Sequence, residues 1–125
     1  MPKPNNFDDK RKNGPRIRAK VPVRYWEIRD EEAEILFEGD QEAQVSYSMN
    51  LGTGGLYLFL KERVKVERLL RLHLFLPSTP EFLSVLARVV WVDNFGAGLC
   101  FEKIKAKDHA VLKEYLRQAV LEENA

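Results

Sequence analysis

The sequence predicts an all-β fold, a small antiparallel barrel or sandwich followed by one C-terminal helix. Two observations support this prediction. Short segments rich in β-branched and aromatic residues recur along the chain, with turn residues between them. These turns are too short for the crossovers that parallel neighbours require, so the strands are expected to pair antiparallel. Near residue 108 the apolar residues then change from alternation to a helical period.

The composition is that of an ordinary globular domain. The 125 residues fit one domain, and a hydrophobic fraction of 45% is sufficient for a core. The single cysteine, Cys100, excludes an intramolecular disulfide. Charged residues interrupt every apolar run, and the N-terminus lacks the apolar core of a secretory signal. We therefore expect a cytoplasmic protein without membrane insertion.

The strands are predicted from alternation and turn residues. The first covers residues 19–28 and contains Pro22, which suggests a sheet edge or a bulge. Two short strands are expected within residues 34–50, on either side of a Gly39-Asp40 turn. The remaining strands are predicted at 55–60, 69–77, 82–93 and 97–104.

Alternation also predicts which side chains face the core. In the strands predicted at 69–77 and 82–93 these are Leu70, Leu72, Leu74 and Leu76, and Leu83, Val85, Ala87, Val89 and Trp91. The helix is predicted over residues 108–123, with Asp108 as its N-cap. Its apolar stripe requires a surface to cover, and one end of the barrel is the expected surface.

Charge is unevenly distributed along the chain. Residues 1–24 contain eight basic and two acidic side chains, a balance of +6; because the net charge is +1, the remainder carries −5. The basic segment is also rich in Pro, Asn and Gly, which is typical of a flexible arm. Such an arm is either a solvated leader or a segment that closes over an anion.

The residues give little support to an enzyme or a metal site. Cys100 lies between Leu99 and Phe101 in a predicted strand, so we expect a buried side chain rather than a reactive thiolate. His73 and His109 are far apart in sequence, and no ligand set with metal spacing is present. Nucleic-acid binding is compatible with the arm, but the body is acidic and lacks a basic–aromatic stacking pattern. We expect a non-enzymatic protein without cofactor, metal or nucleic-acid partner.

The segment SMNLGTGGLYLFL, residues 48–60, contains Gly52, Gly54 and Gly55 directly before an apolar strand. Glycines at this place allow a tight turn or a close backbone approach to a phosphate. A Walker loop is excluded, because no lysine follows the glycines. The turn alone does not decide between these roles.

Taken together, the basic arm, the glycine turn and the closing segment ARVVWVDNFGAGLCFEKI resemble the PilZ domain. This family is a small bacterial six-stranded barrel that serves as a receptor for cyclic di-GMP. The resemblance covers roughly residues 11–120. It implies a six-stranded antiparallel barrel with a C-terminal helix, divided into a flexible arm at 1–15 and a domain at 16–121.

The family's ligand motifs map onto six positions of this chain. The arm motif, Arg-x-x-x-Arg, places its second arginine at Arg16 and its first at Lys12, with Arg11 beside it. The turn motif, Asp/Asn-x-Ser-x-x-Gly, falls on Asn50, Gly52 and Gly55. Two positions depart from the family: Lys12 offers a point charge where arginine offers a bidentate fork, and Gly52 lacks the serine hydroxyl.

The resemblance implies a regulatory protein that binds cyclic di-GMP and relays the signal to a protein partner in motility, pilus or polysaccharide control. Arg11, Lys12 and Arg16 would hold phosphates and guanine faces, and the turn would hold the base side. Arg18 or Lys20 offers an alternative pairing with Arg16. The alternative function is a degenerate adaptor that does not bind the nucleotide. Its contact surface would be the helix or exposed apolar residues such as Phe59 and Phe75.

Overall fold

The structure is a computed structural model that describes residues 16–18, 20–28, 43–77 and 79–123. Six strands form a closed barrel in the order β1-β2-β3-β6-β5-β4, and every neighbouring pair is antiparallel. The elements are β1 Val21–Ile28, β2 Gln44–Met49, β3 Gly55–Phe59, β4 Leu69–Leu74, β5 Leu83–Val92, β6 Gly96–Ile104 and α1 Ala106–Glu123. The predicted six-stranded barrel with a C-terminal helix is confirmed.

Inward-pointing side chains of all six strands fill the barrel. The prediction for β4 is confirmed, because Leu70, Leu72 and Leu74 are buried, as is Leu76 just beyond the end of the strand. In β5 the same prediction holds up to Val89 but is wrong for Trp91, which is 36% exposed. A register irregularity between Val89 and Trp91 reverses the direction of the side chains there.

Helix α1 packs on the same core as the strands. Leu112 and Leu116 are fully buried in one cluster with the barrel interior, and Tyr115 packs against that cluster. Because the strands close around this interior, the helix reaches it only by covering an end of the barrel.

The N-terminus of α1 differs from the prediction. The helix begins at Ala106, and the backbone N–H of His109 donates to the carbonyl oxygen of Lys105 at 2.8 Å. Asp108 therefore lies inside the first turn rather than at the N-cap. Its Oδ2 instead accepts the backbone N–H of Ser84 at 3.2 Å and links the helix to the start of β5.

Pro22 lies within the closed barrel and not at a sheet edge. Its carbonyl oxygen accepts the N–H of Phe75 at 3.0 Å, and the β1–β4 pairing ends at the next residue, Val23. The missing proline N–H thus falls at the end of a ladder, where it leaves no interior hydrogen bond unmade.

Several predictions fall on residues that the structure does not describe. These are the arm at 1–15, the Gly39-Asp40 turn and the short strand expected before that turn. The division of the chain at residue 16 therefore stays a prediction. Within the described ranges, no helix is both long and apolar enough to cross a membrane.

Candidate functional site

The glycine turn joins β2 to β3 and is fixed by its own backbone. Asn50 adopts a left-handed conformation with φ of 53°, which asparagine tolerates better than most residues. The N–H of Gly52 donates to the carbonyl oxygen of Gly55 at 2.9 Å. The carbonyl oxygen of Gly54 accepts the N–H of Phe101, on β6, at 2.8 Å. One hydrogen bond within the turn and one to β6 therefore fix the conformation of the turn.

Gly55 has a structural reason to be glycine. It pairs with Cys100 on β6, and a Cβ at Gly55 would collide with the carbonyl oxygen of Leu99. The requirement is close backbone approach rather than a positive φ. This explains the last glycine of the motif without a ligand, just as the left-handed φ accounts for Asn50, whereas the backbone geometry does not explain Arg16.

The end of the arm lies against this turn. Ile17 and Leu51 form an isolated antiparallel bridge through two backbone hydrogen bonds of 2.9 Å. Both side chains are buried in the core, which fixes the arm at this point. Immediately before the bridge, Nη1 of Arg16 donates to the carbonyl oxygen of Asn50 at 2.8 Å. Residues more than thirty positions apart in sequence are therefore joined at one surface.

Aromatic side chains extend the same outer surface along β3. Tyr57 lies two residues after Gly55 on the same side of the strand and is paired with Gly98 on β6. The indole of Trp91 covers Gly98 from the other side, so that a Cβ at Gly98 would collide with it. The Tyr57 and Trp91 ring centroids are 5.6 Å apart, and those of Tyr57 and Phe59 are 5.2 Å apart.

Tyr57 was not assigned to the site from the sequence, although a count of two residues from Gly55 along the strand could have placed it on the same face. Its hydroxyl donates to Oδ1 of Asp93 at 2.8 Å. The same oxygen accepts the backbone N–H groups of Phe95 and Gly96, both at 2.9 Å. Burial and this hydrogen bond raise the pKa of Tyr57 to about 12. The phenol is therefore neutral at physiological pH, and Asp93 fixes its orientation.

Two further cations follow Arg16 in the chain. Arg18 and Lys20 are exposed, and Nζ of Lys20 lies 5.7 Å from the centroid of the Tyr47 ring. Guanidinium, ammonium and flat aromatic groups on one surface suit a ligand with phosphates and planar bases. We call the surface the motif face; its residues are Arg16, Asn50, Gly52, Gly55, Tyr57 and Trp91.

Four of the six predicted site residues are brought together on the motif face, namely Arg16, Asn50, Gly52 and Gly55. Gly52 is buried and its N–H is used inside the turn. The other two predicted residues, Arg11 and Lys12, lie outside the described residues. Their roles stay predictions.

The candidate residues for other chemistry lie apart from one another. Cys100 was expected to be buried, but it is half-buried, because Leu99 takes the inward position at this part of β6. His73 lies on β4 and His109 in the first turn of α1. Within the part of the chain that the structure describes, no group of three or more His, Cys, Asp or Glu side chains is placed to hold a metal ion.

Comparisons with known proteins agree with this architecture. The PilZ domain family model matches residues 10–118. The structure of the Bacillus subtilis inhibitor of motility, MotI/DgrA, superposes with a TM-score of 0.69 at 20% identity, over 90% of this chain and 52% of that chain. The present chain thus spans about half the length of MotI/DgrA. The PilZ domain of CeSA from a cellulose-synthesizing bacterium gives a TM-score of 0.57 at 13% identity, over 83% of this chain and 96% of that one.

At these identities the two solved structures support the fold alone, and no curated protein matches the chain. The family model carries more weight, since it covers most of the sequence and includes both the arm motif and the glycine turn. Together with the closed barrel and the contact between Arg16 and Asn50, the match shows that the chain belongs to the PilZ domain family.

Proposed function

We propose that this PilZ domain binds cyclic di-GMP on the motif face and passes the signal to a protein partner. The observation that carries the proposal is the contact between Arg16 and the Asn50 carbonyl, next to the Ile17–Leu51 bridge. Both motifs are then parts of one surface. The bridge also reduces the entropy that ligand binding must remove from the arm, because residues 16–18 already have a fixed place.

The charge of the surface suits the proposed ligand. Cyclic di-GMP carries two phosphates and two guanine bases. Arg16 belongs to a segment with Arg18 and Lys20, and Arg11 and Lys12 precede it in sequence. A guanidinium can hold a phosphate bidentately or stack on a base, so several arm residues can share the ligand.

The rings of the motif face offer a place for a base. Tyr57 and Trp91 lie on the outer surface beside the turn, where Tyr57 is paired with Gly98 and the Trp91 indole covers that glycine. Stacking of a base on one aromatic ring contributes about 1–3 kcal/mol. Because Asp93 holds the Tyr57 hydroxyl, the ring is oriented before the ligand arrives.

The two departures from the motifs weaken this site. Gly52 cannot donate the hydrogen bond of a serine hydroxyl, and Lys12 cannot form a bidentate fork. Each missing contact costs about 1 kcal/mol, so the two together reduce the affinity by about ten- to a hundred-fold. These departures favour the second candidate function, an adaptor that keeps the barrel and acts through a protein partner without the nucleotide.

Under both functions the output is a protein contact. MotI/DgrA is described as an inhibitor of motility, and a role in motility, pilus or polysaccharide control is the corresponding proposal for this chain. In the receptor, the bound nucleotide would engage Arg16 and the basic residues that precede it, and so change the surface that a partner meets.

Calorimetry with cyclic di-GMP on the purified full chain separates the two functions. The receptor predicts binding heat at ligand concentrations up to about 100 μM. Arg16→Ala is expected to abolish that heat and, because it also removes the hydrogen bond to Asn50, to lower the thermal midpoint by only a few degrees. Arg63→Ala is the matched control, since Arg63 is an exposed arginine beyond the far end of β3 from the turn.

The double variant Gly52→Ser with Lys12→Arg restores both motif residues. If the wild type binds, this variant should bind about ten- to a hundred-fold more tightly. If the double variant gives binding heat and the wild type gives none, the wild type is the adaptor. No heat from either protein would reject nucleotide binding at this surface.

A further inference from the structure

A second outer surface is centred on β4. The strand order places β4 between β1 and β5, and opposite β3 in the closed barrel. Two cross-strand rows of outward side chains follow from the register, and Phe75 and Phe82 form a third row just beyond the paired residues of β4 and β5. We call this surface the arginine–aromatic face; its residues are Arg24, Trp26, Arg71, His73, Phe75 and Phe82.

His73 is at the centre of this face. Its ring stacks on Phe82, with centroids 4.0 Å apart and planes inclined by 17°. The edge of Trp26 approaches the imidazole at 4.8 Å, and Phe75 lies 5.8 Å from Phe82. Phe82 is 44% exposed despite these contacts. The rings therefore form one contiguous layer, part of which faces solvent.

Two positive charges act on the imidazole of this layer. Arg24 is opposite His73 on β1, is exposed, and raises the local potential together with Arg71. Arg71 is half-buried, and its Nη1 donates to the hydroxyl of Ser84 at 2.8 Å. Burial and these two guanidinium groups lower the pKa of His73 to about 4. The imidazole is neutral at physiological pH and acts as one more flat ring.

The edge of the face adds two lysines. Because Asp108 accepts the N–H of Ser84, the first turn of α1 lies beside β5. Lys105 and Lys107 are exposed at this turn, and the N-terminus of a helix is itself electropositive. Glu81, next to Phe82 in sequence, is the nearest acidic residue along the strand.

We propose that the arginine–aromatic face binds a protein segment that presents a carboxylate beside an aromatic or large aliphatic side chain. The carboxylate pairs with the exposed Arg24, and the apolar side chain packs on Phe82 and Trp26. Trp and Arg next to aromatic rings are the composition of binding hot spots. Positive charge around an apolar layer selects an acidic partner over a basic one.

The dimensions fit an anchor rather than a whole interface. Three strands and three rows cover roughly 10 by 14 Å, given the usual strand and residue spacings. This area matches a hot-spot cluster, whereas a stable protein interface needs about 800 Å² on each partner. We therefore expect a short peptide segment, bound with micromolar strength, as the occupant.

A random library of peptides about twelve residues long, displayed on phage, is the probe. It is selected against the full wild-type chain and counter-selected against Arg24→Glu. Selected sequences should contain Asp or Glu within a few positions of Trp, Phe or Leu. A synthetic peptide of the selected sequence should bind the wild type and lose at least about tenfold in affinity to Arg24→Glu and to Phe82→Ala.

Phe95→Ala is the matched control, because Phe95 is an exposed aromatic residue outside this face, at 70% exposure. Its affinity for the peptide should stay within about twofold of the wild type. Thermal midpoints of all variants show whether each variant is folded. Arg24→Glu replaces an exposed side chain and keeps the test interpretable if Phe82→Ala is unstable.

Three results would overturn the proposal. The first is no enrichment over the counter-selected variant, and the second is enrichment of basic peptides. In the third, no peptide is selected, but a single-stranded oligonucleotide binds and Arg24→Glu removes that binding. The face would then be a nucleic-acid binding site.

Discussion

The motif face and the arginine–aromatic face are built in different ways. On the motif face, backbone groups make the decisive contacts: the Ile17–Leu51 bridge, the Arg16 contact to the Asn50 carbonyl, and the close approach of Gly55 to Leu99. On the arginine–aromatic face, side chains from three strands make them. Backbone contacts require particular small residues at fixed spacing and so leave a motif in the sequence. A layer of side chains depends instead on the register of the strands, and so it leaves no such motif in the sequence.

The largest expected effect is on the motif face. Gly55→Ala should lower the free energy of unfolding by about 3 kcal/mol, because the new Cβ meets a backbone carbonyl that cannot move without disturbing β6. Urea denaturation at pH 7 measures the effect. Thr53→Ala, in the same turn, is the control and should change stability by less than about 0.5 kcal/mol. A loss below 1 kcal/mol for Gly55→Ala would show that the turn tolerates side chains and that ligand binding selects the glycine.

A smaller, pH-dependent effect is expected on the arginine–aromatic face. The folded-state pKa of His73, about 4, lies below its ordinary value of 6.5. As pH falls from 6.5 towards 4, the unfolded chain therefore takes up a proton before the folded chain does, and stability decreases. After allowance for solvent screening of the half-buried ring, the loss between pH 7 and pH 5 is about 1 kcal/mol.

The variant His73→Phe isolates that contribution. It keeps a flat ring on Phe82 and removes the titrating group, so its stability should fall by about 1 kcal/mol less than that of the wild type between pH 7 and pH 5. Urea midpoints at the two pH values give the comparison, and His109→Gln controls for the other histidine. Equal losses in the wild type and His73→Phe would contradict the assignment of a neutral buried imidazole.

The smallest effect concerns a single side-chain hydrogen bond. Tyr57→Phe removes the donor to Asp93 and keeps the ring of the motif face, so stability should fall by about 0.5–1 kcal/mol. Tyr47→Phe, on the exposed Tyr47 ring, is the control and should stay within about 0.3 kcal/mol. Ultraviolet titration should show one phenol fewer titrating above pH 11 in Tyr57→Phe, in keeping with a Tyr57 pKa of about 12. An unchanged high-pH titration would assign the raised pKa to another tyrosine.

Much of the fold could be predicted from local patterns. Alternation located β4 and most of β5, since a closed barrel with one buried face imposes a period of two on every strand. It was wrong at Trp91, because a register irregularity is a property of two strands and not of one. The N-cap prediction at Asp108 misplaced the start of α1, because the Asp108 carboxylate has a partner on β5 that sequence spacing does not show.

The candidate site, like the fold, could be predicted only in part from the sequence. The spacing of Asn50, Gly52 and Gly55 was visible in the sequence, and the structure places these residues beside Arg16. Tyr57 was missed as a site residue because its role depends on Gly98 and Asp93, which come from another hairpin. The arginine–aromatic face left no motif, although each of its residues lies at an outward position of a predictable strand.

The sequence by itself determined the period of each strand, the helical end of the chain, and the residues small enough for a tight turn. These properties are local, because they depend on side-chain size, branching and spacing along one segment. Only the tertiary structure decided that Arg16 contacts Asn50 and that His73 lies between Trp26 and Phe82. It also decided that residue 55 must lack a Cβ, because this position lies against the carbonyl oxygen of Leu99. Each of these depends on which strands become neighbours and in what register, and that choice is made by the packing of the whole core.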